Sequence, residues 1–86
     1  MLNQRYAVID LETSGNNFNT DKILEIGVVF VENGQIVDEY NTFFCDTDYI
    51  TPFISELTNI TVDMIKNAPT FKSKAHEIYE LIKDCT

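Results

Sequence analysis

Between Ile23 and Phe44 the sequence reads ILEIGVVFVENGQIVDEYNTFF, two β-branched, apolar runs separated by Asn33-Gly34. Asn and Gly both tolerate positive φ, so this dipeptide closes a tight hairpin and makes the two runs antiparallel neighbours. The spacing predicts strands over Ile23 to Glu32 and Gln35 to about Phe44. The second alternates imperfectly, with Ile36, Asp38 and Tyr40 on one face and Val37, Glu39 and Asn41 on the other, which suits an edge strand. An isolated hairpin is marginal in water. A third strand is available upstream in YAVIDLETSG, from Tyr6 to Leu11, followed by the polar, turn-forming segment from Thr13 to Asp21.

From Thr51 onward the pattern turns helical. Pro52 opens a short helix running through Leu57, Thr61 caps a second short one, and Pro69 ends that segment. Thr70 then caps a longer helix in which Phe71, Ala75, Ile78, Tyr79 and Ile82 share one face, while Lys72, Lys74, Glu77, Glu80 and Lys83 lie on the other. Its apolar face should pack on the sheet. The expected fold class is α/β: a three-stranded antiparallel sheet, two short helices and one long helix. The first two strands read as apolar on both faces, the mark of a sheet covered on both sides, yet only one long helix is present. Either the chain self-associates through the uncovered sheet face, or it is the N-terminal portion of a larger fold. Its 86 residues lie near the lower end of what folds without staples.

Charge narrows the function classes. Fourteen acidic residues against six basic ones give a net charge of −8, and Arg5 is the sole arginine. Such a surface repels nucleic acid and anionic membranes, so a phosphate-containing substrate needs bridging cations or basic surface from another segment. Cys45 and Cys85 lie far apart without metal-binding spacing and read as free thiols of a reducing compartment. With no apolar leader, and no apolar run of about 18 residues, a soluble cytoplasmic protein without a membrane partner is expected.

The feature that asks for chemistry is the end of the first strand. Asp10 and Glu12 are two residues apart and so project from the same face, while Ile9 and Leu11 point to the opposite core. Two carboxylates this close repel, and few bases are at hand to offset them. A divalent cation is the better partner. Hard oxygen ligands select Mg²⁺ or Mn²⁺, ions that keep several waters and share their site with substrate phosphate. Thr13-Ser14-Gly15 sets hydroxyls and backbone N–H groups beside that position. Glu25 is either an outer partner of the metal site or a solvated edge residue. Asp46 and Asp48 do not complete a calcium loop, since Thr51 and Leu57 stand where Gly and Glu are needed. Asp63 suits the first turn of a helix, and His76, mid-helix, reads as a surface residue. The aromatic residues read mainly as core, with Phe53 the candidate for an exposed stacking surface.

YAVIDLETSG, then DKILEIGVVFVENGQIVDEYNTFF, then LTNITVDMIKNAPTF together resemble the opening of the DnaQ-like, or DEDD, 3′–5′ exonucleases, whose first motif is Asp-x-Glu-Thr-(Thr/Ser)-Gly. The order is most similar to the exonuclease domains of DinG-type helicases and PolC-type polymerases. The resemblance implies an incomplete RNase H-like fold, with residues 1–86 the N-terminal portion of one exonuclease domain. It also implies a centre of two Mg²⁺ or Mn²⁺ ions, Asp10 bridging both and Glu12 holding the one that activates water. Thr13 and Ser14 would contact the terminal nucleotide, and Leu57 and Thr58 would line the pocket for its base and sugar. Asn59 departs from the family's glycine at that point. The family's second and third motifs, with two further carboxylates and a histidine base, would lie beyond Thr86, so the isolated chain is expected to be inactive. The implied partners are single-stranded or 3′-terminal nucleic acid, DNA before RNA, and the remainder of a helicase- or polymerase-bearing polypeptide. The competing reading is a noncatalytic RNase H-like module for binding or dimerisation.

Overall fold

The computed structural model describes residues 4–17 and 19–86. The elements are β1 (Arg5–Thr13), β2 (Ile23–Glu32), β3 (Gln35–Phe43), α1 (Pro52–Thr58), α2 (Val62–Ile65) and α3 (Phe71–Ile82). Asn33 and Gly34 take φ of 53° and 77°, the two consecutive left-handed residues a tight hairpin requires. The sheet is antiparallel throughout, in the order β1-β2-β3, so β2 is central.

The period of two in β2 sets the layers. Leu24, Ile26, Val28 and Phe30 are buried on one face, and α3 lies against it, adding Ile78 to a core of Ile26, Val28, Phe30 and Phe44. Ala7, Ile82 and Cys85 pack at its margin. A second core, Leu24 with Ile50, Ile60 and Ile65, gathers α1 and α2 beside the start of β2, with Phe43 and Ile54 packed on it. Each helix begins as the sequence predicts: the hydroxyls of Thr51, Thr61 and Thr70 accept the N–H of Ile54, Met64 and Ser73. The Tyr40 hydroxyl donates to Glu77 at 2.8 Å and ties β3 to α3. Partial burial first, then the bond to Glu77 and its charge, push the Tyr40 phenol up to about 12.

Three expectations need correction. The first strand is not a core strand: no residue of β1 is buried, and Val8, Ile9 and Leu11 are 58%, 44% and 46% exposed. Burial follows α3, which sits over β2 and leaves β1 at the sheet margin. Tyr79 is exposed although it shares the helical spacing of Ile78, because the contact covers a narrower stripe than the apolar pattern. The third strand stops at Phe43, and Phe44, just past it, is fully buried.

The outer edge of β1 is engaged at its beginning. Ala7 N–H donates to the Thr86 carbonyl at 3.2 Å and Thr86 N–H to the Arg5 carbonyl at 2.9 Å, the pattern of a parallel bridge. Beyond it, β1 pairs only with β2 among the described residues.

Candidate active site

The strand register assembles the site. On the sheet face opposite α3, Glu12 stands across from Glu25 and Glu25 from Phe43; in the next row Asp10 stands across from Gly27 and Gly27 from Asn41. Gly27 leaves the floor beside Asp10 open. Asn41 Nδ2 donates to Glu25 Oε2 at 2.8 Å. Glu25 is therefore on the carboxylate face, directly opposite Glu12, where like charges on neighbouring strands repel. Asn41 had no assigned role in the sequence reading; the pairing register that brings it to Glu25 is a non-local property.

No ion pair involves Asp10, Glu12 or Glu25 among the described residues. Arg5 pairs with Glu32, Lys66 with Asp63, Lys74 with Glu77, and Lys83 with Glu80. Two carboxylates without a basic partner on one open face fit a hard divalent cation, which accepts one or two protein carboxylates and fills its remaining positions with water and phosphate. No group of three or more His, Cys, Asp or Glu side chains that could hold a metal ion is found among the described residues.

The turn after Glu12 is built around Asp21. Its carboxylate accepts from the Ser14 hydroxyl at 2.9 Å and from Asn17 N–H at 2.9 Å, while Ser14 Oγ accepts Lys22 N–H and Ser14 N–H reaches the Lys22 carbonyl, both at 2.8 Å. The Thr13 hydroxyl donates to the Gly15 carbonyl at 2.8 Å. A Cβ at Gly15 would lie 2.5 Å from Asp21 Oδ2, so any side chain there would have to displace the Asp21 carboxylate. Sequence reasoning missed Asp21; its spacing from Ser14 across a polar loop was the only local sign.

Leu57 and Thr58 lie on α1, whose Ile54 packs on the second core together with Phe43; Phe43 itself is two strands across from Glu12, about 10 Å at ordinary strand spacing. Leu57 is 68% exposed and shares an (i, i+4) face with Phe53, 71% exposed, while the Thr58 hydroxyl donates to the Ile54 carbonyl. Asn59 ends α1 at φ 63°, a left-handed cap that favours Gly and tolerates Asn, so the departure from the family's glycine keeps the backbone shape. His76 is on the exposed side of α3, 3.7 Å from Glu80.

A three-stranded antiparallel meander followed by helices, with two acids closing its first strand, is the opening of an RNase H-like nuclease fold. Solved structures share it. A full-length 3′-exonuclease superposes with TM-score 0.81 at 23% identity, over 96% of this chain and 30% of that one. The nuclease domain of 3′hExo, a DEDDh family member bound to rAMP, gives 0.79 at 24% identity, over 94% and 44%. E. coli exonuclease I in complex with an oligonucleotide gives 0.77 at 17% identity, over 91% and 18%. In sequence, the 3′-5′ exonuclease DinG of Staphylococcus aureus strain USA300 is 49% identical over 80 residues, 93% of this chain and 9% of that protein. The RNase_T exonuclease family model matches residues 7–86. The chain belongs to this exonuclease family. It spans about a tenth of the length of the DinG relatives it matches.

Proposed function

We propose that Asp10 and Glu12 are metal ligands of a 3′–5′ exonuclease centre that hydrolyses phosphodiester bonds at a strand's 3′ end. The observation that carries this reading is the pair of carboxylates on one open sheet face, without an ion-pair partner among the described residues and inside the segment matched by the exonuclease family. When bound, Mg²⁺ or Mn²⁺ supplies charge neutralisation at phosphorus and a more acidic water. Asp10 and Glu12 would hold the ions, which would offset the like charges of Glu12 and Glu25 facing each other across the strands. Thr13 and Ser14 keep the turn beside the centre in shape for the terminal nucleotide, and Leu57 and Thr58 bound the pocket for its base and sugar. The remaining carboxylates of a two-ion site come from outside this chain.

The substrate is single-stranded or 3′-terminal DNA in the cytoplasm, and the partner is the rest of a longer polypeptide with a helicase or polymerase module. The name of the DinG relative and the oligonucleotide complex of exonuclease I support this choice. The test is nucleotide release from a 5′-labelled single strand by the full-length polypeptide. Release that needs Mg²⁺ or Mn²⁺, stops with EDTA and is abolished by Asp10→Asn is expected, and the 86-residue chain alone should release nothing. Release that persists in EDTA contradicts the metal reading.

A further inference from the structure

On the carboxylate face Glu25 is flanked by Glu12 of β1 and Phe43 of β3. β2 is the central strand and Glu25 is half-buried on it, so a freely solvated edge position does not describe this acid. Glu25 is in no ion pair among the described residues, and a like charge directly opposite on the next strand is an unfavourable choice for a purely structural position. What holds Glu25 is Asn41. It stands one row along, opposite Gly27, and its Nδ2 reaches diagonally to Glu25 Oε2 at 2.8 Å. The amide crosses the side-chain position that Gly27 leaves empty, since a Cβ there would lie 3.5 Å from Asn41 Nδ2. A carboxylate only accepts, so the neutral amide fixes one of its oxygens and leaves the charge intact. Glu25 is thus oriented beside Glu12 without being neutralised.

We propose that Glu25, held by Asn41, is a positioning residue of the metal centre: it accepts a hydrogen bond from a water of the ion held by Glu12 and so fixes that ion's hydration shell. Mg²⁺ and Mn²⁺ bound by one or two carboxylates keep several waters, and each water is a donor in need of an acceptor. Outer acceptors of this kind orient the ligands and set the affinity. Glu25 stands outside the ligand pair, as no group of three acids fit to hold an ion is found among the described residues. The inference rests on the metal-centre reading for its ion, but not on nucleotide release.

Calorimetric Mn²⁺ titration of the full-length polypeptide, taken as the difference from Asp10→Asn, reads this centre apart from other ion sites. Glu25→Gln should lower affinity there about ten-fold. Glu25→Asp keeps the charge but withdraws the carboxylate by one methylene, and Asn41→Ala, at an exposed position, frees it; each should lower affinity several-fold. Asn41→Ala should cost nothing more once Glu25→Gln is present, because Asn41 acts through Glu25. Glu39→Gln, which removes an exposed charge two residues from Asn41, should change affinity by less than about two-fold. The urea midpoint of Glu25→Gln in EDTA should be unchanged or raised. Parent affinity in Glu25→Gln overturns the assignment, and so does a midpoint that falls with the affinity, which makes the role structural. Loss in Glu25→Gln with none in Glu25→Asp and Asn41→Ala also overturns it, in favour of charge alone. Absence of any Asp10-dependent Mn²⁺ site removes the metal reading and the inference with it, whereas Mn²⁺ binding without nucleotide release removes only the exonuclease reading.

Discussion

Among the described residues Asp10 and Glu12 have no ion-pair partner, and Glu12 faces Glu25, an arrangement of like charges on neighbouring strands that the proposed cation would relieve. Asp10→Asn should lower Mn²⁺ affinity more than about ten-fold by calorimetric titration. The same change should leave the urea midpoint in EDTA unchanged or slightly raised, since it relieves repulsion. A stability loss above about 1 kcal/mol would mark the acid as structural. Gly15 makes the opposite kind of demand. The space its missing side chain leaves is filled by the Asp21 carboxylate, which also holds Ser14 and Asn17. Gly15→Ala must displace Asp21, and a loss of about 1–3 kcal/mol in chemical denaturation is expected. Gly15 therefore leaves the Asp21 carboxylate the room it occupies in the turn after the carboxylates.

At the scale of elements, much was legible because its signals are local. Asn33-Gly34 specified the hairpin, and Thr61, Thr70 and Pro52 marked helix starts within a residue of where they fall. The two-residue spacing put Asp10 and Glu12 on one face. What escaped was non-local: apolar residues in β1 do not reveal that α3 sits over β2, and nothing near Glu25 says that it stands opposite Glu12. The contact between β3 and α3 makes a pH-dependent prediction of the same tertiary kind. Glu77 is held below its ordinary value by the hydrogen bond from Tyr40 first, then by Lys74, so its contribution is present above about 4.5 and fades as pH falls through the lowered value. Tyr40 is shifted upward, so its contribution is present below 10 and fades as pH rises toward about 12. Tyr40→Phe should lower the urea midpoint at pH 7 and flatten its decline below pH 4.5. An unchanged acid limb in the variant would place that pH dependence elsewhere.

The whole molecule is elongated, 45 × 25 × 23 Å with a radius of gyration of 14.5 Å, whereas a compact chain of this length has about 12 Å. The excess matches a sheet whose first strand is exposed on both faces: Tyr6 and Val8 on the carboxylate side, Ile9 and Leu11 on the other, each about half exposed. Beyond Ala7 the outer backbone edge of β1 has no strand partner among the described residues, and an apolar strand with a free edge is a template for pairing with another chain. Alone at high concentration, the chain should therefore self-associate through β1, measurable as a rising weight-average mass in sedimentation equilibrium. Val8→Lys puts a charge on that surface at a residue 58% exposed, so it should shift the mass toward 9.9 kDa while changing stability by no more than about 0.5 kcal/mol. A monomeric parent chain at high concentration would show that this surface does not pair with itself. Association unchanged by Val8→Lys would move the contact to another exposed apolar group, of which Phe53 with Leu57 on α1 has the highest fractional exposure.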